Sequence, residues 1–233
     1  MIGVRRVQTG MVEQTAATVR LGRWLLAIVA ALSLAGVGAE VAYYLAGLPG
    51  SVAAFLSLSF EKNLPTWYAS CLLFSCAVML GSIAHEVGQR ELPHGPYWKI
   101  LSGLFVYISL DEAVEIHEHL GGIFETGGVL YFSWVIPAAG VLVVLGLAFL
   151  PFLMRLPADT RRRFVIAGGV YVGGALLMEL PLGLWTEQHG DDNLTYGLLD
   201  WIEETLELLG ASLFLVALHA HRRSLCDGGE EAP

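Results

Sequence analysis

The sequence is short of charge, shorter still of positive charge, and nearly without cysteine. Charged residues make up 15% of the 233, against about 25% in an ordinary soluble domain. Lys and Arg together number 13 against 22 Asp and Glu, a formal net charge of −9. So few basic residues exclude a nucleic-acid surface, because neutralising phosphates takes a Lys/Arg face. The three cysteines, Cys71, Cys76 and Cys226, include no pair at metal-ligand spacing and supply no disulfide framework. Also missing are a Gly-rich loop with a phosphate-binding Lys and a Ser, His and Asp in nucleophile context. Lys62 and Lys99 both lie at the ends of apolar runs, which argues against a Schiff base to retinal. No histidine lies deep enough in such a run to serve as an axial haem ligand.

Apolar residues are what the chain has in excess: 55% are hydrophobic and mean hydropathy is +0.60. A soluble fold of this size cannot hide that much apolar surface. Crossing the hydrocarbon core takes about 20 residues. The runs Trp24 to Leu48, Thr66 to Ala84, Ile100 into the acidic stretch, Val129 to Met154, Phe164 to Trp185 and Tyr196 to Leu218 therefore predict six spans. The expected fold is all-α, an integral membrane bundle of six transmembrane helices. Residues 1–23 form a cytoplasmic tail, residues 24–221 the transmembrane domain and residues 222–233 a second cytoplasmic tail. Val37-Gly38-Ala39 also resembles a signal-peptide cleavage site. The apolar pattern continues beyond it, so a retained helix is expected.

Local signals divide the runs. Pro49-Gly50 marks a turn, Val52 to Phe60 is a short interfacial segment, and Asn63 with Pro65 reads as a helix start. Pro137 predicts a kink in the fourth span. Gly168-Gly169 and Gly173-Gly174 predict a small-residue face for close helix packing. The histidines near the cytoplasmic ends, His85, His94, His219 and His221, are expected at the interface.

Positive charge orients the bundle. With a cytoplasmic N-terminus, the inner segments hold Arg5, Arg6, Arg20, Arg23, Arg90, Lys99, Arg155, Arg161, Arg162, Arg163, Arg222 and Arg223, and the outer segments hold Lys62 alone. This positive-inside pattern predicts an even number of spans with both termini inside the cell membrane. The lipid bilayer is the expected surrounding, with a membrane-complex partner or a second copy of the chain as the further partners considered.

Against that apolar background stands Asp111 to His119, Asp-Glu-Ala-Val-Glu-Ile-His-Glu-His. Ionisable residues inside a span are costly and mark function by default. The topology sets Asp111, Glu112, Glu115, His117 and Glu118 in the outer half of the third span and Glu179 in that of the fifth. Asp200, Glu203, Glu204 and Glu207 fall in the outer half of the sixth, with Glu61 and Glu40 near the same level. At about 100° per residue, Asp111, Glu115, Glu118 and His119 share one arc and His117 points elsewhere; Asp200, Glu203, Glu204 and Glu207 share another. Stripes like these avoid lipid and face one another, a cavity or a cation. Glu118, His119, Glu125, Glu187, His189, Asp191 and Asp192 equally fit a solvated outer crown.

The candidate metal ligands are Glu61, Asp111, Glu112, Glu115, His117, Glu118, Glu179, Glu203, Glu204 and Glu207. An oxygen-rich set suits Mg, Ca or Mn, and an imidazole moves the preference toward Fe, Mn or Zn. The four-helix di-metal carboxylate site uses Glu-x-x-His on two helices; no span here has one. The set Glu61-x-Asn63-x-Pro65-Thr66, Leu110-Asp111-Glu112 with Ile116-His117-Glu118, Glu179, and Glu203-Glu204-x-x-Glu207 resembles a group of uncharacterised bacterial six-span membrane proteins over roughly residues 20–220. That resemblance implies these positions as a set, His117 included, and no activity. Three functions are expected: binding of a divalent cation or protons for transport, sensing or structure; a metal-dependent membrane enzyme, oxidoreductase or hydrolase; and an accessory subunit of a larger complex.

Overall fold

A computed structural model describes residues 2–92, 94–117, 119 and 124–226, with the side chains of residues 2–14 and 226 outside that description. Among the described residues every regular element is helical. They are α1 (Ile2–Ala46), α2 (Gly50–Leu56), α3 (Leu64–Gln89), α4 (Gly95–Val114), α5 (Val135–Arg155), α6 (Ala158–Val172), α7 (Glu179–His189) and α8 (Leu194–Cys226). A π-helical turn, Gly173–Met178, joins α6 to α7, so that the two form one rod with a bulge in its middle.

Local chemistry starts α3 where the sequence expects. The Asn63 side chain accepts the Thr66 N–H at 3.1 Å, with Pro65 in the first turn. The Nδ2 of Asn63 donates to the carbonyls of Ala54, Ser57 and Phe60, tying the cap to the preceding chain. Asn193 does the same for α8, where its Oδ1 accepts the Tyr196 N–H at 3.0 Å.

The longest-packed element is α8, which lies against α1, α3 and α6. α3 pairs along α4, and serines stitch that pair together. Ser70 and Ser109 exchange hydroxyl-to-carbonyl bonds at 2.8 Å each, and Ser102 donates to the Ala77 carbonyl at 2.9 Å. α8 approaches the α6–α7 rod closely because two glycines permit it. A Cβ on Gly210 would lie 2.5 Å from the Tyr171 nitrogen, and one on Gly174 would lie 2.8 Å from the Glu203 carbonyl oxygen. The expected glycine face is thus carried by Gly174 with Gly210; Gly168, Gly169 and Gly173 meet nothing within 4 Å.

Among the described residues, four helical stretches are long and apolar enough to cross a membrane: Thr15–Ala46, Leu64–Gln89, Val135–Arg155 and Ala158–His189. Of the six runs, those on α4 and α8 fall short, since they carry the acids, and α8 adds histidines that dilute an otherwise apolar sequence. Apolar side chains are displayed outward, α5 most of all, where Val143, Val144 and Leu147 are each 60% exposed or more.

Several boundaries differ from the expected ones. α1 begins at Ile2, so the N-terminal segment, for which a surface helix is one of the two expected forms, is helical and continuous with the first apolar run. Pro137 falls in the first turn of α5, where no N–H is needed, and the interior proline is Pro151. α4 stops at Val114, so the helical wheel does not extend to His119.

The two ends of the bundle differ. At one end Arg222 meets Glu86 at 2.6 Å and Arg90 donates to the Leu225 carbonyl at 2.6 Å. Here His221 is buried and stacks on Trp98 at 5.0 Å between ring centroids. The acids gather at the other end.

Candidate functional site

The last turn of α4 sets the first wall. Asp111 accepts the His117 backbone N–H at 2.9 Å on Oδ1 and lies 3.1 Å from His117 Nδ1 through Oδ2. Meanwhile Glu115 caps the helix in the left-handed region at φ 57°, its N–H donating to the Asp111 carbonyl at 2.7 Å. Together these fold the chain back over the helix end. His117, which the wheel turns away from the acids, is thereby brought to them.

Lys62, in the loop before α3, donates to Glu115 Oε2 at 2.7 Å. From the start of α5, Trp134 Nε1 donates to Glu179 Oε1 at 3.1 Å, and its ring lies 4.8 Å from that of His117. On α8 the positions 200, 203, 204 and 207 follow the one-face helical spacing.

All of these meet around one cavity of ≈ 590 Å³. Its lining includes nine of the ten residues singled out in the sequence, namely Glu61, Asp111, Glu112, Glu115, His117, Glu179, Glu203, Glu204 and Glu207, together with Asp200. The tenth, Glu118, lies outside the described residues. Sequence reasoning missed the aromatic part of the lining, Tyr131, Phe132, Trp134, Tyr171 and Tyr196. Clustered aromatics from Tyr131 to Trp134, at the start of the fourth apolar run, are the signal that could have found it.

Other acids lie elsewhere. Glu40 is buried and accepts the Ser57 hydroxyl at 2.5 Å, while packing against Gly197. Glu187 accepts the Gly128 N–H at 2.8 Å. His119 is exposed, with its Nδ1 2.7 Å from the Glu115 carbonyl.

Among the described residues the cavity wall counts nine carboxyl groups, one imidazole and no Lys or Arg. Repulsion among so many carboxylates is relieved by shared protons or by a bound cation. Glu203 is 6% exposed, and its Oε2 is buried without a hydrogen-bond partner, an acceptor that ordinarily demands a donor. Among the described residues, however, no three His, Cys, Asp or Glu side chains are arranged to hold a metal ion. The carboxyls ring a space instead of converging on a point.

Below this space a cleft of ≈ 10 Å³ shares Glu112, Tyr171, Glu204 and Glu207 and is otherwise walled by Ala69, Leu72, Leu73, Leu208 and Ala211. That is at the lower limit for one water, so the apolar walls close the cavity toward the middle of the bundle.

Fold and site together define an all-α bundle with a carboxylate-lined cavity at one end. The chain belongs to a family described as a domain of unknown function (DUF8692), whose model matches residues 22–222. Comparison with curated proteins and with solved structures found no match.

Proposed function

We propose that this is a six-helix protein of the cell membrane, both termini cytoplasmic, whose carboxylate cavity faces the outer side and binds cations, either a divalent ion or protons, for transport or sensing. The observation that carries this is the cavity lining: among the described residues, nine carboxyls from segments far apart in sequence against one imidazole in the wall and one lysine, Lys62, that reaches Glu115.

Three features support the membrane placement. α4 and α8, 20 and 33 residues long, are about 30 and 50 Å in length at ~1.5 Å per residue, enough to span. Their low hydropathy comes from acids that line the cavity, which is where a membrane-embedded carboxylate is tolerated. Arg90, Arg155 and Arg222 stand at the end opposite the cavity, as a positive-inside orientation requires. Because no side-chain set among the described residues is preorganised around one metal, a divalent ion such as Mg or Ca would keep much of its water shell here.

The test is thermal unfolding of the purified chain in lipid nanodiscs with Mg²⁺, Ca²⁺ or Mn²⁺ and across the neutral pH range, at constant ionic strength. Wild type should gain several degrees with at least one cation or with protons. Glu203→Gln and Glu204→Gln should lose that response, whereas Glu86→Gln, at the other end, should keep it. A wild-type chain indifferent to every cation and to pH would refute the proposal.

A second reading, a metal-dependent membrane enzyme using Fe, Mn or Zn, is favoured by one contact, the Asp111–His117 pair beside the cavity. Elemental analysis separates the two: an enzyme centre retains stoichiometric metal through purification and loses it in Asp111→Asn.

A further inference from the structure

We infer that the cavity's ligand is a linear amine carrying two or more ammonium groups on an aliphatic chain. This rests on the cation-binding reading above and names the class of cation. A bare metal ion fills a few Å of space and needs several oxygens around one centre; the cavity is ≈ 590 Å³ and offers no such centre among the described residues. That volume lies within the range of about 300–1,000 Å³ typical of sites for small organic molecules.

The negative charge is arranged in tiers that match an extended cation. Glu112, Glu204 and Glu207 stand at the floor, where the cavity narrows to the apolar cleft. Glu203 stands on the α8 wall, 6% exposed, with Oε2 buried and unpartnered. An ammonium group brings three N–H donors and is a natural partner for such an oxygen. The wall also includes aromatic side chains, Trp134 and Tyr196 among them. Aromatic faces attract ammonium groups and also cover methylene chains. A hydrated Mg²⁺ gains nothing from methylene contacts and little from the rings, so the combination of spaced carboxyls with aromatic surface selects the organic cation.

The experiment is calorimetric titration of the full chain in nanodiscs of zwitterionic lipid with spermidine, putrescine and MgCl₂ at matched ionic strength. Spermidine should bind at least tenfold tighter than Mg²⁺, with putrescine between them. Glu203→Gln should weaken spermidine at least tenfold, and Trp134→Leu should weaken it several-fold while changing Mg²⁺ binding little. Unfolding temperature and size-exclusion profile establish that each variant is folded; Glu204→Gln replaces Glu203→Gln if the latter is not. Mg²⁺ binding equal to or tighter than spermidine overturns the inference and leaves the cation-binding function standing. Binding of neither, with no response to pH, overturns both.

Discussion

His117 holds the Asp111 carboxylate at both oxygens, its backbone N–H 2.9 Å from Oδ1 and its ring Nδ1 3.1 Å from Oδ2. Asp111 is thus committed to a structural clasp even as it lines the cavity, in contrast to Glu203, whose Oε2 is unpartnered. Hydrogen bonds to a charged group are each worth about 1.5–3 kcal/mol. Asp111→Ala should therefore destabilise by about 2 kcal/mol or more. Asp111→Asn, which keeps the Oδ1 acceptor, should lose less. Thermal unfolding in detergent ranks the two, and equal losses would contradict the clasp.

Gly210→Ala should be severely destabilising, because its Cβ would lie 2.5 Å from backbone nitrogen of Tyr171, which has no soft atom to move. Overpacking of this kind costs about 1–3 kcal/mol and at times more. Gly168→Ala, whose Cβ meets nothing within 4 Å, should instead gain up to about 1 kcal/mol from helix propensity. The same unfolding measurement on both variants checks the contrast, and similar effects at the two sites would overturn it.

Burial pushes the His221 imidazole down to about 4. It lies beyond Leu218, where the sixth apolar run ends. An ordinary histidine titrates near 6.5, so between those values the unfolded chain binds the extra proton and the folded chain does not. Stability attributable to His221 is complete above about pH 6.5 and falls as the pH drops toward 4, by on the order of 3 kcal/mol. His221→Phe should retain the stack on Trp98 and flatten that acid limb. An unchanged limb in the variant would assign the acid loss to other groups.

Asn63 acts as more than a helix cap, since its Nδ2 faces the carbonyls of Ala54, Ser57 and Phe60. Asn63→Asp preserves the capping oxygen and turns an acceptor toward those carbonyls. A pure cap would tolerate that change, whereas here it should cost about 2 kcal/mol or more. Unfolding of Asn63→Asp at the wild-type temperature would reduce Asn63 to a cap.

Much of the site was legible because the arginines fall between alternate apolar runs. Counting them across the runs places Glu61, Asp111, Glu179 and Glu204 at one level without any contact information, and the cavity gathers all four. Asn63 was legible as a helix start because capping is local. The end of α4 was not, since Glu115 adopts φ 57° where glycine would have announced the turn. Nor was the burial of His221: polar residues near a span end look interfacial until a tryptophan from another helix covers them. Gly173-Gly174 read as a packing motif because a doubled glycine carries no mark of the π-helical turn that begins there.

That turn decides which way Glu179 faces. Along an unbroken α-helix, the 12 residues from Ala167 to Glu179 would leave the two about 120° apart around the axis. A π-helical turn holds roughly one residue more than an α turn and so rotates the helix beyond it by about 100°. The rod is in effect phase-shifted midway, with Ala167 and Glu179 both buried. The same residues wound as an unbroken α-helix through Gly173 to Met178 would be as helical as this rod and would turn the acid out of the cavity.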